Sequence, residues 1–338
     1  MTESNIQIAA LTGGQNTPST RFRVRQHIGR LAEQGVEVTE LIPRFGASCG
    51  LPSPFKMGSR IPAIFQSRDA DVVWLSRHMV QGYAFFERSL KRPRVLDVDD
   101  AVWLRRPMGP WAQPWIARGM DAVIAGNQYL ADYYARYCKN VHIVPTAVDL
   151  DRYQMRELPV TEPVKFTIAW TGLARNYEHL DYVATELADF LSDHPRAELL
   201  LIANRLWLSN VIPPERIRFV PWSPDVEVSA LQEASVGIMP LADDPWTRGK
   251  CSFKMLQYMA VGLPVVASPV GMNRDVLNHD NVGFGPESPE EWHYALKTLH
   301  DDWSLRQQMG HAGRKVVEET YNADRISEQL AGLFRQLT

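Results

Sequence analysis

One segment of the chain combines cations and a hydroxyl directly before a stretch with helical spacing. The loop carries Arg248, Lys250 and Ser252, and the stretch Phe253–Val261 follows it. Lys254 adds a further cation in the first turn of that predicted helix. Backbone N–H groups at a helix N-terminus and nearby cations favour an anion, so the pattern predicts a site for a diphosphate.

The same predicted helix supplies two more candidate binding residues. Phe253 begins it, and Gln257 lies three residues after Lys254, on the same helical face. Gly262-Leu-Pro264 then turns the chain into a strand predicted at Pro264–Ala267. We therefore expect the whole segment to lie at the edge of a sheet.

A glycine turn follows the first predicted strand, Ile6–Leu11. Gly13 and Gly14 would let backbone N–H groups approach an anion beside the next helix. The turn is not a full GxGxxG, and no acidic residue closes the second strand as a dinucleotide fingerprint requires. A plain tight turn is therefore the alternative to a phosphate contact.

Three carboxylates, Asp97, Asp99 and Asp100, follow or end the strand predicted at Arg94–Val98. Burying them is costly unless they are solvated, paired or bound to a metal. A divalent metal site, a polar or catalytic group and a helix cap all remain open. The two-domain pattern argues against the metal site, and His78 is a second candidate for a catalytic role.

Tryptophans and arginines mark a candidate acceptor side in the first half. Trp111 and Trp115, with Trp103, lie in the Pro-rich loop Ala101–Arg118. Indoles stack on sugar faces and favour membrane interfaces, whereas a buried aromatic cluster under a loop is the alternative.

A basic cluster adds Arg21 and Arg23 to that side. It is interpreted either as an anion, acceptor or acidic-lipid site or as a solvated face of the helix predicted from Thr20 to Gly35.

Strand-like and helix-like segments alternate through both halves of the chain, which is typical of parallel sheets built from βαβ units. We predict an α/β protein with two Rossmann-like parallel-sheet domains that face a central cleft, where ligands bind at the carboxyl ends of the strands. The predicted domains are residues 1–155, 156–322 and, as a terminal helix crossing back to the first domain, 323–338. The segment Asp151–Lys165 reads as the linker.

Charge divides the chain unevenly. The 338 residues carry a net charge of −3, which argues against a nucleic-acid partner. Residues 1–150 hold 18 Lys and Arg against 13 Asp and Glu, a charge of +5, and the remainder holds 18 against 26, a charge of −8. Cys49, Cys138 and Cys251 form no CxxC pair, and no signal peptide or bilayer-length apolar run is visible. These features predict a cytoplasmic protein, at most peripheral at the inner face of a membrane.

The run from Gln257 to Gly271, Gln-Tyr-Met-Ala-Val-Gly-Leu-Pro-Val-Val-Ala-Ser-Pro-Val-Gly, resembles a signature of the group 1, or family 4, glycosyltransferases. Those are retaining enzymes with the GT-B fold. The resemblance extends over most of the chain, through Asn281–Gly285, His311–Arg314, Tyr321, Ala125–Ala131, Val141–Asp149 and Asp97–Asp100.

The sequence departs from the family at four charged positions. The family's paired Glu residues, which hold the donor sugar and the ribose, fall on Gly249 and Gln257. Its Arg and Lys after the first strand of the second domain fall near Leu173 and Glu178. The donor site is then expected to use the following residues: Gly13, Gly14, Gly172, Arg175, Arg205, Arg248, Lys250, Ser252, Phe253, Lys254 and Gln257.

The resemblance implies sugar transfer from a nucleoside diphosphate sugar to an acceptor hydroxyl, with retention and without a metal or other cofactor. The family's first-domain His is replaced around Asp99 and Asp100, which would orient the acceptor or the donor sugar. The acceptor is expected to be a glycan or a lipid-linked glycan in cell-surface polysaccharide synthesis, with an anionic membrane surface as a further partner. A GT-B protein that binds without turnover and a sugar-nucleotide epimerase are the alternatives.

Overall fold

The computed structural model describes residues 5–15, 17–43, 53–80, 84, 86–157 and 161–338. It divides into two compact units. Unit 1 comprises Met1–Ala147, Arg248–Cys251 and Ala323–Thr338, and unit 2 comprises Val148–Thr247 and Ser252–Asn322. The chain thus enters unit 2 at Val148, before the expected boundary at residue 155. None of the described helices has the length and apolar composition that crossing a bilayer requires.

Unit 1 is built on a six-stranded parallel sheet. Its strands are β1 (Ile6–Leu11), β2 (Val36–Leu41), β3 (Val72–Ser76), β4 (Arg94–Val98), β5 (Ala122–Ala125) and β6 (Val141–Ile143). Their order is β2-β1-β3-β4-β5-β6. The central strands β3, β4 and β5 are buried throughout, as near-continuous apolar runs in a covered parallel sheet should be.

The α-helices of unit 1 are α1 (Ile28–Ala32), α2 (Ser53–Gly58), α3 (Ile61–Gln66), α4 (Gly109–Ala117), α5 (Gln128–Tyr134) and the C-terminal helix, labelled α13 (Ala323–Leu337). The last of these packs into the core of unit 1 through Ile326, Leu330 and Phe334, whose ring lies 5.2 Å from that of Trp74. The helix is strongly amphipathic, so its apolar side chains are buried when it packs against the sheet.

Unit 2 repeats the architecture with a second parallel sheet. Its strands are β7 (Phe166–Gly172), β8 (Ala197–Ala203), β9 (Ile217–Pro221), β10 (Val236–Met239), β11 (Val265–Ala267) and β12 (Gly283–Phe284), in the order β12-β11-β10-β7-β8-β9. The helices are α6 (Glu178–Asp181), α7 (Ala184–Asp193), α8 (Pro224–Gln232), α9 (Phe253–Ala260), α10 (Met272–Leu277), α11 (Pro289–Asp301) and α12 (Trp303–Val316). Two six-stranded parallel sheets confirm the predicted fold class of two Rossmann-like domains.

Two sequence predictions about helices need correction. The stretch 20–35 is not one helix: a wide π-helical turn at Thr20–Val24 and a 3-10 turn at Arg25–His27 precede α1. The wide turn accompanies the buried Arg23 side chain, which reaches into the sheet. The supposed loop at 101–118 contains α4: Pro110 falls in its first turn, where a proline costs no hydrogen bond, and the helix continues through the interior Pro114.

Candidate functional site

In unit 2, a glycine, an indole and a lysine meet at the carboxyl end of β7. The Lys254 ammonium lies 4.8 Å from the ring centroid of Trp170. A Cβ placed on Gly172 would lie 2.7 Å from Trp170 Cη2 and 2.9 Å from Lys254 Cε. Only a glycine therefore lets the lysine stem lie across the end of this strand. The structure brings together Gly172 and Lys254, two of the predicted donor residues.

Lys254 lies in the first turn of α9, so the N-terminus of this helix is close to the end of β7. Ser252 precedes it in a left-handed conformation (φ 51°), and its hydroxyl donates to Asn273 Oδ1 at 2.7 Å. Phe253 is half-buried in the first turn. Ser252 is itself buried, so its side chain fixes the start of the helix, while the first-turn backbone N–H groups give the end its positive character.

Arg175 and Arg205 lie on exposed turns that follow the adjacent strands β7 and β8. Asn204 Oδ1 accepts a hydrogen bond from the Ala174 backbone N–H at 2.8 Å, and the Tyr177 hydroxyl donates to the Arg205 carbonyl. These bonds join the two turns. Both predicted cations are thus held at one edge of the unit 2 sheet.

Gln257 is buried, at 3% exposure, in the second turn of α9. Its Nε2 donates to the Tyr153 hydroxyl at 2.6 Å. Tyr153 lies within the segment interpreted as a linker, yet it is 1% exposed and part of the unit 2 interior. The interpretation of this segment as a linker therefore missed Tyr153 as a hydrogen-bond partner of Gln257. The signal that could have indicated it was a single tyrosine among charged residues.

In unit 1, arginines neutralise the three carboxylates near the end of β4. Asp97 is buried and paired with Arg23 at 2.9 Å, while Trp74 Nε1 donates to its other oxygen at 3.1 Å. Burial raises the Asp97 pKa, and the Arg23 guanidinium opposes that rise. Arg23 also donates to the Val144 carbonyl at 2.7 Å. It is a structural cation, so the expectation that it lies on an exposed acceptor surface needs correction.

Arg77 binds both remaining carboxylates. Its Nε donates to Asp99, and its Nη2 lies 2.8 Å from Asp100 Oδ2. Burial alone would raise the Asp99 pKa, but the Arg77 ion pair and hydrogen bond outweigh it and hold the pKa below its usual value. The arginine follows β3 in a left-handed conformation (φ 63°) that is unusual for a side-chain-bearing residue. The carboxylates are therefore paired with arginine, and Arg77 is a residue that sequence reasoning missed.

His78 follows Arg77 and is half-buried. Burial, together with the cations Arg77, Arg105 and Arg60, lowers its pKa to about 3. The imidazole is thus neutral near pH 7. It can offer a lone pair or an N–H group to a ligand, but not a positive charge.

The residues Arg248–Cys251 group with unit 1, apart from Ser252 and Lys254. The Lys250 carbonyl accepts from Asn127 Nδ2 at 2.9 Å, and Cys251 Sγ lies 3.3 Å from the Asp99 carbonyl. A Cβ on Gly249 would lie 2.7 Å from Ala101 Cβ. The predicted cations Arg248 and Lys250 therefore sit in a loop packed beside Asp99. Cys138 and Cys251 are buried free thiols, and Cys49 lies outside the described residues.

Gly13 and Gly14 form the turn after β1. Gly14 has a positive φ of 144°, and its carbonyl accepts from the Thr17 hydroxyl at 2.7 Å. Arg21, half-buried in the next turn, places its guanidinium 4.8 Å from the Phe22 ring centroid. The glycines thus shape a tight turn that leads directly into the first helical segment.

The three clustered tryptophans divide into two environments. Trp103 is buried and stacks on Tyr133 at 3.7 Å. Trp111 and Trp115 are 45% and 36% exposed on α4 and stack on each other at 6.0 Å. The Arg88 guanidinium lies 3.8 Å above the Trp115 ring. The alternative of a buried aromatic cluster is thus confirmed for Trp103, whereas Trp111 and Trp115 are accessible and their contact with a sugar or a membrane stays a prediction.

One group of potential metal ligands lies among the described residues, away from all of these positions. His194, His300 and Asp301 have ligand atoms within 4.8 Å of one another, at the ends of α7 and α11. His300 Nδ1 lies 2.8 Å from Asp301 Oδ1, and Asp301 also contacts Lys297. The aspartate is thus shared with a lysine.

Part of the chain is similar to a known protein family. Residues 165–302 match the model of the glycosyl transferases group 1. An uncharacterized glycosyltransferase of Methanocaldococcus jannaschii is 26% identical over 106 residues, which are 31% of this chain and 26% of that protein. The match thus spans about a quarter of that relative.

Solved structures extend the likeness to the whole chain at the level of fold. A sucrose-phosphate synthase from Thermosynechococcus elongatus has a TM-score of 0.74 at 15% identity, covering 98% of this chain and 99% of the other. Anabaena HepE in complex with UDP and glucose has a TM-score of 0.75 at 14% identity, covering 98% and 100%. Residues 165–302 thus match the family model of the group 1 glycosyl transferases, and the chain as a whole has the two-sheet GT-B fold of these solved structures.

Proposed function

We propose that the protein transfers a sugar from a nucleoside diphosphate sugar to an acceptor hydroxyl, with retention of configuration and without a metal. The observation that carries this proposal is the meeting of Gly172 and Lys254 at the end of β7, within the segment that matches the family. Anabaena HepE, which shares the fold, was solved with UDP and glucose, and this supports a donor of the same chemical class.

The residues of unit 2 account for the charge that the reaction develops. The leaving diphosphate gains negative charge as the glycosidic bond breaks, and Lys254 and the first turn of α9 are placed to stabilise it. Arg175 and Arg205 supply further cations from the neighbouring turns. In a front-face reaction the departing diphosphate takes the proton of the acceptor hydroxyl, so the protein need not supply a nucleophile.

The residues of unit 1 take the acceptor side in this proposal. Arg77 fixes Asp99 and Asp100, so their remaining lone pairs present a rigid acceptor array to sugar hydroxyls. His78, neutral because its pKa is near 3, offers a hydrogen bond without charge. We assign Arg248 and Lys250 to the diphosphate, from the loop beside Asp99.

A ligand screen followed by a transfer assay tests the proposal. Binding to the native state raises the unfolding temperature by mass action, so UDP, GDP and ADP and their sugars are first compared by thermal shift. The nucleotide sugars that bind are then incubated with simple glycosides, and the anomeric configuration of the product is read by NMR. Absence of binding by every nucleotide would contradict the proposal, and an inverted product would contradict retention.

A binding protein without turnover is the second candidate, and one observation favours it. The position of the family's sugar-binding Glu is Gly249, and Ala101 occupies the space into which a side chain would grow. Nucleotide affinity without release of free nucleotide from any nucleotide sugar would support this candidate.

The exposed indoles of α4 support a glycan or lipid-linked acceptor and an anionic membrane surface as partners. Trp111 and Trp115 lie near exposed Leu104 and Met108, with arginines such as Arg88 alongside. Indoles at a water–lipid boundary and nearby cations are the usual means of interfacial binding. We accordingly propose a cytoplasmic enzyme, peripheral at the inner face of the membrane.

Liposome sedimentation tests the membrane surface. The wild type should sediment with vesicles containing anionic phosphatidylserine, and less so at high salt. Replacing both Trp111 and Trp115 by Ser should abolish sedimentation, whereas replacing Tyr294, an exposed aromatic of α11 in unit 2, should not. Equal sedimentation of the double variant would contradict the assignment.

A further inference from the structure

A chain of hydrogen bonds runs through the interior of unit 2 behind Gln257. Glu227 of α8, 4% exposed, lies at its far end. Its Oε1 accepts from Trp222 Nε1 at 2.8 Å, and its Oε2 accepts from the Tyr153 hydroxyl at 2.7 Å. Arg152 lies 3.4 Å from the same Oε2. The chain then continues from Tyr153 to Gln257.

The direction of each bond follows from what the groups can donate. Indole and guanidinium nitrogens only donate, so Glu227 serves them as a carboxylate acceptor. The phenol has a single proton, which goes to Glu227. Burial and the Glu227 charge raise the Tyr153 pKa far above its ordinary value, so this proton stays on the phenol.

This direction leaves Gln257 one orientation. The Tyr153 oxygen has given its proton away and can only accept, so the group facing it must be an N–H donor. The amide NH₂ of Gln257 therefore points to Tyr153, and its carbonyl Oε1 points away. Among the described residues, the Gln257 side chain makes one hydrogen bond, from Nε2 to Tyr153, so Oε1 keeps its lone pairs for a ligand. Lys254, three residues earlier, places its side chain at the end of β7 from the same helix face.

We propose that Tyr153 and Glu227 are positioning residues that lock the amide of Gln257, so that its carbonyl oxygen accepts from a ribose hydroxyl of the bound nucleotide. This inference rests on the proposed function. The locked orientation explains how the neutral amide of Gln257 offers a hydrogen-bond acceptor oxygen at a position where the family has a glutamate. Tyr153 and Glu227 do not touch the ligand.

The arrangement also explains why a carboxylate does not fit position 257. With Glu at that position, two carboxylates would flank one phenol proton, and one of them would face a lone pair without a donor. A buried acceptor without its donor is destabilising, and two nearby charges repel. Gln257→Glu should therefore weaken the site, although it restores the residue type that the family favours.

Exchanging the two side chains provides a direct test. In the double variant Gln257→Glu with Glu227→Gln, the amide NH₂ at 227 can donate to Tyr153 and the phenol proton can pass to the carboxylate at 257. The bonds from 227 through Tyr153 to 257 are rebuilt with their direction reversed, and one carboxylate remains in the interior. Arg152 loses its contact with the carboxylate at 227 and keeps its hydrogen bond to the Pro224 carbonyl. The outer carboxylate oxygen at 257 again faces the ribose.

Binding is measured with UDP, GDP and ADP and with their 2′,3′-dideoxy analogues. The wild type should bind its ribonucleotide about tenfold more tightly than the dideoxy analogue, the size of one good hydrogen bond. Gln257→Glu and Tyr153→Phe should lose about tenfold on the ribonucleotide and little on the analogue. The exchanged double variant should recover to within about threefold of the wild type. The matched control is Glu233→Gln, which changes an exposed ion-pair residue at the C-terminal end of α8, the helix that carries Glu227.

The outcomes separate this inference from the proposed function. If the wild type binds none of the nucleotides, both proposals fail. If it binds them but does not distinguish ribose from dideoxyribose, or if the double variant stays as weak as Gln257→Glu, the positioning inference alone is overturned. The free energy of unfolding of the ligand-free variants gives a second readout. Because the hydrogen bonds are rebuilt, the double variant should lose less unfolding free energy than the sum of the losses of the two single variants.

Discussion

Both sheets have six parallel strands, but the charged residues at their carboxyl ends differ in sign and in pairing. In unit 1, the carboxylates beside β4 are buried or half-buried, and Arg23 and Arg77 neutralise them. In unit 2, the end of β7 carries Gly172 and the Lys254 ammonium, with arginines on exposed neighbouring turns. In unit 1 the charges at the carboxyl end of the sheet are therefore paired with one another. In unit 2 the carboxyl end of the sheet carries an excess of cations and is suited to bind an anion.

This difference shows how little a summed charge says about a ligand. Residues 1–150 carry +5, yet two of their arginines are consumed internally by aspartates. The remaining residues carry −8, yet Lys254 lies at the end of β7, with Arg175 and Arg205 on the turns after β7 and β8. Local geometry, because Coulomb interactions fall off within about 10 Å in salt, decides which charge a ligand meets.

The largest effect should come from opening the network of unit 1. Arg77→Gln would leave Asp99 and Asp100 without their shared cation, and breaking such a buried pair costs about 3–5 kcal/mol of unfolding free energy. Urea unfolding measures the loss. Arg92→Gln, which removes an ion pair with a largely exposed arginine, should remain close to the wild type. Equal behaviour of the two variants would mean that the Arg77 network is not a closed one.

At the cationic edge of unit 2, the loss should appear in binding rather than in stability. Lys254→Ala removes a charge placed for the diphosphate and should weaken nucleotide diphosphate affinity about 10- to 100-fold, the range for a charge-assisted hydrogen bond. Lys254→Arg keeps the positive charge and should retain part of the affinity for the nucleotide diphosphate. Isothermal titration calorimetry measures both, with Lys297→Ala on α11 as control. An unchanged affinity for Lys254→Ala would remove the lysine from the site.

In unit 1, the loop beside Asp99 should not tolerate a side chain at Gly249. Gly249→Ala places a methyl group 2.9 Å from the Ala101 backbone nitrogen, which cannot move aside, and overpacking of this kind costs about 1–3 kcal/mol. Gly29→Ala is the matched control, because nothing lies within 4 Å of its Cβ in α1. A stable Gly249→Ala variant would show that the loop at 248–251 can yield, and that a family-like Glu is accessible there.

The smallest effect concerns pH and unit 1 alone. Burial, with the nearby cations Arg23 and Arg30, lowers the His27 pKa to about 3. Because this folded value lies below the unfolded value near 6.5, stability is complete above pH 6.5 and falls as the pH falls toward 3. Between pH 6.5 and 5.5 the loss from this one group is about 1 kcal/mol.

Thermal unfolding across that pH range compares the wild type with His27→Gln. The variant should show a shallower dependence, and adding His78→Gln should flatten it further, since the pKa of His78 is depressed in the same way. A pH dependence as steep as that of the wild type would show that these histidines take up protons in the folded state.

The sequence alone predicted the strands well, because buried parallel strands are continuous apolar runs with clear turns around them. Ile6–Leu11, Arg94–Val98 and Ala122–Ala125 have the predicted bounds. Helices near prolines and buried arginines were harder. The predicted helix from residue 20 is interrupted, and α4 forms where a loop was expected, because Pro110 lies in the first turn of α4 and the tertiary packing of its buried face outweighs the cost of the interior Pro114.

What the sequence by itself determined was the α/β class, the resemblance of Gln257–Gly271 to the group 1 glycosyltransferases and the presence of Lys254 and Gln257 on one helical face. These depend on local periodicity and on motifs a few residues long. Only the tertiary structure decided which charges are neutralised and which way Gln257 faces. Arg77 meets Asp99 across 22 residues, and Gln257 meets Tyr153 across 104. Such pairs form where the sheet brings distant strand ends and helices together, and no local pattern records them.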